Sequence, residues 1–305
     1  MIFLSEDSEI LDQNVIATIG FFDGVHRGHQ FFLKTLAQQA KKYSLKSMVV
    51  TFTNHPKLYF YPNKTTKLLT LLIERFYMLN NFKIDYCLVL DFDAHIAKMT
   101  GEEFIQFLKK KFGLKNLMVG MGNHFGCDRV MFPEIKEICE RENLYIYKVN
   151  HFTLSNQRKI SSTFIRKCLK FADVESANEM LDRNYSIYST IEGKRQLQNS
   201  IIELDLTVDN LKLLPRRGVY LAEIEVDKMY YKCVLDIPDD RDIEDVPNSR
   251  HIFLYIFGLK ENALSFYSKN VEIGVIYFLR ENFLTEGIDS IDNQLVIDRE
   301  WIFGN

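Results

Sequence analysis

Ile19-Gly20-Phe21-Phe22-Asp23-Gly24-Val25-His26-Arg27-Gly28-His29 decides how the first half of this chain is read. It follows the compact β-prone run Val15–Ile19. It precedes a stretch in which Phe32, Leu33, Leu36, Ala37 and Ala40 recur at spacings of three and four, the apolar stripe of an amphipathic helix. Strand, glycine turn and helix in that order are the parts of a phosphate-binding loop. Gly20, Gly24 and Gly28 let the backbone turn sharply and approach an anion with no Cβ in the way. The helix N-terminus offers unpaired N–H groups and the positive end of its dipole. His26 and His29 lie three apart, so both imidazoles can face one site and hydrogen-bond the oxygens of a transferring phosphoryl group. A zinc reading of the pair lacks a suitably placed Glu and a third ligand.

Outward from this turn, short apolar runs alternate with segments of helical period as far as about residue 180. Residues 48–52, 88–89, 117–119 and 145–149 read as further buried strands, and Thr100-Gly101-Glu102-Glu103 opens a helix with capping-box spacing. Such alternation predicts an α/β, Rossmann-like domain with a mostly parallel sheet, whose ligands bind at the carboxyl ends of the strands. Beyond Leu181 the pattern becomes β-prone: residues 185–191, 201–206, 219–226, 230–235, 251–257 and 271–279 read as strands, and 289–298 as one closing helix. That is a small all-β barrel with a C-terminal helix. The expected boundaries are 1–183 for the first domain and 184–305 for the second.

A second segment carries chemistry. Ile160-Ser161-Ser162-Thr163-Phe164-Ile165-Arg166 begins a short helical pattern, where hydroxyls and free N–H groups can hold phosphate oxygens. Arg166 lies one turn on and presents a bidentate fork suited to phosphate.

These segments together resemble a known family. The histidine turn looks like the HxGH signature of the nucleotidylyltransferase superfamily, in the form carried by prokaryotic bifunctional riboflavin kinase/FAD synthetases. Thr51-Phe52-Thr53-Asn54-His55-Pro56 resembles that family's TFxPHP. Gly120-Met121-Gly122-Asn123-His124-Phe125-Gly126 resembles its GxDFxFG turn, and residues 160–166 its ISSTxIR motif. The resemblance implies that an FMN phosphate oxygen attacks the α-phosphorus of ATP and pyrophosphate leaves, with FAD as product. It assigns His26, His29 and Arg166 to catalysis, and Gly20, Phe22, Asp23, Gly24, Gly28, Ser161, Ser162 and Thr163 to ATP. His55, Pro56, Asn123 and Phe125 are assigned to the flavin. Asp23 has a second reading, as a carboxylate that caps the turn. Mg²⁺ is implied by the triphosphate, although no carboxylate cluster announces a protein cage for a metal. Two departures stand out: Gly122 takes the place of the family's Asp or Asn, and Asn54 that of a Pro, a change expected to matter little.

The second half departs where kinase chemistry resides. The family's GxPTAN segment is replaced by residues 198–206, and its NIGxRPT by residues 235–241. Ser249 stands two before His251 where the family has a Glu base. A serine at neutral pH is a poor proton acceptor. Packing signatures survive in Pro215-Arg216-Arg217-Gly218-Val219-Tyr220 and in Gln294-Leu295-Val296-Ile297-Asp298. The expectation is therefore an FMN adenylyltransferase with a degenerate riboflavin-kinase barrel. Full bifunctionality, another phosphate-bearing acceptor and a non-catalytic flavin- or nucleotide-binding regulator are the alternatives.

Bulk properties agree. The 305 residues suffice for two domains, and 47% hydrophobic with 26% charged residues can supply a core to each. A net charge of -3, from 38 basic and 41 acidic residues, does not suggest a nucleic-acid partner. Five scattered cysteines fit reduced thiols of a cytoplasmic protein. The N-terminus turns acidic after four residues, unlike a signal peptide, and no apolar run approaches the ~20 residues that cross a bilayer. ATP and FMN are the expected partners, with no membrane partner; a homo-oligomer is compatible with the sequence.

Overall fold

The structure is a computed structural model. It describes residues 1–9, 14–61, 66–120, 122, 124–149, 160–197, 201–226, 228–238, 249–258, 270–281 and 291–304. The chain divides into two compact units, the first comprising Met1–Thr66 and Thr70–Ser161, the second Lys67–Leu69 and Ser162–Asn305.

In the first unit, β1 (Ile2–Leu4), β2 (Val15–Ile19), β3 (Lys46–Phe52), β4 (Tyr86–Leu90), β5 (Leu114–Gly120) and β6 (Tyr145–Val149) form one sheet. Its order is β1-β4-β3-β2-β5-β6, and every neighbouring pair is parallel. Helices α1 (Arg27–Lys42), α2 (Pro56–Phe60), α3 (Leu72–Asn80), α4 (Ala94–Lys98), α5 (Gly101–Phe112) and α6 (Phe132–Arg141) connect the strands. The period-2 alternation of side chains sends β2 to two cores. Val15, Ala17 and Ile19 pack with Phe104, Leu108 of α5 and Ile135 of α6, whereas Ile16 packs with Leu33, Leu36 and Ala40 of α1. Both faces are thus covered, which is why these strands read as continuous apolar runs.

Local chemistry sets the ends of these elements. Thr100 caps α5 by accepting the Glu103 N–H at 3.2 Å, while the Glu103 carboxylate accepts the Thr100 N–H at 2.7 Å, the expected capping box. Gly113 ends the same helix in the left-handed conformation at φ 62°. The strand order reverses at β2, with β3 on one side and β5 on the other, so the switch point of the sheet lies at the carboxyl end of β2. Gly20 follows directly.

The second unit opens with α7 (Ser162–Lys170) and α8 (Val174–Leu181). A closed antiparallel barrel follows, made of β7 (Tyr185–Gln196), β8 (Ile201–Asp209), β9 (Gly218–Val226), β10 (Met229–Ile237), β11 (Ser249–Phe257) and β12 (Asn270–Arg280) in the order β10-β11-β8-β7-β12-β9. Helix α9 (Ile291–Phe303) closes the chain. Leu204, Leu206, Ile252 and Leu254 are buried at alternate positions. A second apolar set, Ile201, Val219, Val234, Tyr255 and Phe257, packs with Leu295 and Ile302 of α9. The helix therefore covers one outer patch of the barrel. It is anchored by Asp298, which accepts from Arg280 Nη2 at 2.9 Å and from Gln294 Nε2 at 3.1 Å. Lys67–Leu69 joins this unit although its sequence lies far upstream. Leu68 bridges Lys212, and the buried Lys212 ammonium donates to the Leu69 carbonyl at 2.7 Å. Among the described residues no helix is long and apolar enough to cross a membrane.

Candidate functional site

The turn after β2 is held by backbone and side-chain bonds at once. Gly20 N–H donates to the Val50 carbonyl at 3.0 Å, and Val25 N–H to Phe22 O at 3.0 Å. Gly24 takes φ 81°, and even Phe22 (55°) and Val25 (39°) are left-handed, a strained arrangement held by its surroundings. Asp23 is buried, and its Oδ1 accepts the Thr70 N–H at 3.0 Å and the Thr70 hydroxyl at 3.2 Å. The same hydroxyl oxygen accepts the Gly24 N–H at 2.9 Å. Asp23 is thus tied to Thr70, whose hydroxyl in turn holds the Gly24 N–H of the turn.

His26 is the N-cap of α1, and its Nδ1 accepts the His29 N–H at 3.2 Å. An accepting Nδ1 places the proton of the neutral ring on Nε2, a directed donor at the mouth of the helix. The His26 and His29 rings stack with centroids 3.6 Å apart and planes 15° from parallel. Gly28 makes this possible, because a Cβ there would lie 3.2 Å from the His26 ring. His29 is half-buried as a residue, yet its Nδ1 is enclosed and lacks a partner among the described residues. Burial, and secondarily the adjacent His26 ring, pushes the His29 imidazolium pKa well below its ordinary value. His29 is therefore neutral near pH 7. Two stacked imidazoles, that of His29 neutral, at the positive end of a sixteen-residue helix make an anion-receptive site.

At the end of β3, His55 caps α2 by accepting the Lys57 N–H on Nδ1 at 3.0 Å, with Pro56 in the first helical turn. The His55 ring lies 4.4 Å from that of Phe21. Asn54 does more than the sequence suggested. Its Oδ1 accepts the Phe92 N–H at 2.9 Å and its Nδ2 donates to Phe92 O at 3.1 Å, tying the end of β3 to the loop after β4. Phe125, four per cent exposed, packs into the core under the sheet and pairs its backbone with Val130. Gly126 at φ 70° admits no side chain, since a Cβ would lie 2.0 Å from Gly101 N. Asn123 lies outside the described residues.

Ser161 ends the first unit, whereas Ser162, Thr163 and Arg166 begin α7 in the second. Arg166 donates Nε–H to the Lys67 carbonyl at 3.0 Å. On the barrel, Ser249 starts β11. Two residues on, His251 Nδ1 lies 2.8 Å from Asp205 Oδ1, with both side chains partly exposed. Among the described residues no group of three or more His, Cys, Asp or Glu could cage a metal.

Two residues of the histidine turn's surroundings escaped the sequence reading, Thr70 and Arg75. Arg75 on α3 is completely buried, its Nη2 donates to Phe52 O at 2.6 Å, and its Cζ sits 4.0 Å from the Phe21 ring centroid. The available signal was a charged pair, Glu74-Arg75, inside the otherwise apolar stretch from Leu71 to Phe76.

Comparison with known proteins gives a consistent result. A family model described as FAD synthetase matches residues 8–164, and one described as riboflavin kinase matches residues 181–302. A bifunctional riboflavin kinase/FMN adenylyltransferase of Pseudomonas fluorescens is 31% identical over 228 residues, 73% of this chain and 72% of its own length. Its counterpart in Haemophilus influenzae is 27% identical over 295 residues, 94% of this chain and 93% of that one. Among solved structures, a macrolide-efflux protein from Streptococcus pneumoniae superposes with a TM-score of 0.82 at 21% identity, covering 98% of both chains. At that identity the likeness is one of fold.

Proposed function

Since this chain belongs to the family of bifunctional riboflavin kinase/FMN adenylyltransferases, we propose that it transfers the adenylyl group of ATP to FMN, forming FAD and releasing pyrophosphate. The observation that carries this reading is the stacked His26–His29 pair at the N-terminus of α1, at the switch point of the sheet. A phosphate oxygen of FMN attacks the α-phosphorus of ATP, and the bond to the bridging oxygen of the β-phosphate breaks. No side-chain nucleophile is needed, so the chain's task is positioning and charge stabilisation. His26 donates Nε2–H to the phosphate chain, and neutral His29 serves beside it without the repulsion of two adjacent cations. The Gly20–Gly24 turn and the positive N-terminal end of α1 cradle the phosphates. The hydroxyls and N–H groups at the start of α7, with Arg166, are proposed as phosphate ligands on their chemistry. His55 and Pro56 are proposed for the flavin. Mg²⁺ is proposed to enter with ATP, held by phosphate oxygens and water in the usual manner of that ion.

For the second unit we propose weak or absent riboflavin kinase activity, on the ground that Ser249 cannot act as the base. A fully bifunctional enzyme is the second reading. The riboflavin kinase match over residues 181–302 favours it, as does the His251–Asp205 pair, which orients an imidazole two residues from Ser249. One experiment separates them: incubate the protein with Mg-ATP and either FMN or riboflavin, and resolve the flavins by chromatography. FAD from FMN alone supports the first reading, and FMN or FAD from riboflavin the second. No change in either flavin refutes both.

A further inference from the structure

Arg75 has no evident reason to be where it is on stability grounds. Among the described residues it is the largest fully buried side chain, and there Nη2 has a hydrogen-bond acceptor while Nε and Nη1 are enclosed without one. No carboxylate there stands within ion-pair distance of it. Burial pulls its pKa down to about 10, against the smaller opposing effects of Asp23 and Cys87, so it stays charged at neutral pH. A buried cation without a direct counter-ion is destabilising, and an apolar side chain of similar volume would serve the core better. Such residues persist where charge is used.

Its surroundings say for what. The guanidinium carbon lies 4.0 Å from the centroid of Phe21, and the His55 ring lies 4.4 Å from the same phenyl ring. Phe21 is the second residue of the glycine turn, and its carbonyl accepts the Thr51 hydroxyl at 3.3 Å. Nη2 simultaneously grips the carbonyl of Phe52, the last residue of β3. Arg75 therefore joins the ends of the two strands from which the histidine turn and the His55 segment spring, and does so with a positive charge at the level of the phosphate loop.

We propose that Arg75 is a positioning residue of the adenylyl-transfer site. It pins Phe21, and with it the glycine turn, through a cation–π contact, and it sets a fixed positive charge behind the phosphate-binding backbone. This rests on the proposed FMN adenylyltransferase reading. Because the charge is enclosed, it costs no reorganisation when negative charge arrives. Because it acts from behind the turn, its effect falls on the phosphates rather than on the flavin.

The test compares the full chain with Arg75→Met, of similar reach and no charge, and Arg75→Lys, which keeps the charge. Arg75→Met is expected to melt no lower than the wild type, because it removes a buried unpaired cation. It is also expected to lose about tenfold or more in kcat/KM for ATP, with KM for FMN unchanged. Arg75→Lys is expected to recover part of that loss. Calorimetric binding of inorganic pyrophosphate, which requires no turnover, is expected to weaken in parallel. A methionine variant within about twofold of wild type in both kcat/KM and pyrophosphate affinity would overturn the proposal. So would a lysine variant as impaired as the methionine one. If the wild type forms no FAD yet binds pyrophosphate in an Arg75-dependent way, the enzymatic reading fails while the role of Arg75 at the anion site stands.

Discussion

Gly28→Ala separates the geometry of the histidine pair from the stability of the helix that carries it. Gly28 lies in the first turn of α1, where alanine is the better helix former by up to about 1 kcal/mol. The new Cβ would lie 3.2 Å from His26 Cε1 and Nδ1, so the imidazole must give by a few tenths of an ångström. The His26 cap to the His29 N–H is already long at 3.2 Å, and its loss costs about 1 kcal/mol. Gain and loss offset, and the melting temperature is expected to move by no more than about 4 °C. Catalysis has no such offset, because the displaced ring leaves both its 3.6 Å stack on His29 and its aim at the phosphate chain. The expected drop in kcat for FAD formation from FMN is roughly 10- to 100-fold, or about 1.4–2.8 kcal/mol of barrier. Chromatographic quantitation of FAD under saturating Mg-ATP, beside thermal melting of the same preparations, reads both quantities. A variant that turns over at the wild-type rate refutes the argument that the stacked geometry matters. One that simply unfolds refutes the claim that Gly28 is there for the ring.

Three further outcomes are expected. His29→Ala should lower FAD formation by at least about 100-fold while leaving FMN binding by calorimetry within a few-fold of wild type, since His29 faces the phosphate loop; retained turnover would remove it from the mechanism. Riboflavin supplied with Mg-ATP should yield FMN far more slowly than FMN yields FAD; robust turnover that disappears in His251→Ala and falls in Asp205→Asn would establish a working kinase with a replaced base. Asp236 is largely buried with Oδ1 lacking a partner among the described residues, and burial, opposed by Arg280, raises its carboxyl from 3.8 to about 7. Its folded pKa stands above the unfolded one, so the native state holds the proton longer and stability falls as pH rises from 3.8 to about 7. Asp236→Asn should flatten that decline and raise the melting temperature near neutrality, and an unchanged pH profile of melting would contradict the assignment.

Much of the architecture was written in local pattern. A β-prone run, a glycine turn and an i, i+3, i+4 stripe identify β2, the loop and α1 because strand and helix periods differ, and hydrophobic burial enforces both. The capping box at Thr100 and Glu103 is legible because hydrogen-bond partners three residues apart are fixed by helix geometry. The six runs of the second half became the six strands of the barrel for the same reason, although β7 runs on to Gln196 past an irregularity after Ile191, and α9 on to Phe303. Elements whose reason lies elsewhere in the chain were not legible. The three-residue β1 is a strand only because β4 offers it an edge through the pairs Ile2↔Tyr86, Phe3↔Cys87 and Leu4↔Leu88.

The candidate site divides along the same line. Glycines and histidines announced a phosphate loop through residue type and spacing alone, and Asn54 in the adjoining segment looked inconsequential by the same measure. Tertiary structure decided that the two imidazoles stack, that Nδ1 of His26 is occupied so that Nε2 carries the donor, and that burial keeps His29 neutral. It also decided that Asn54 grips Phe92, that Thr70 closes over Asp23, and that Arg75 lies beneath Phe21. No periodicity places a charged residue inside a core, since helical pattern sends charges to solvent. What put Arg75 there is the convergence of α3 with the ends of β2 and β3. Such contacts between distant segments are set by how elements pack, and pattern along the chain is blind to them.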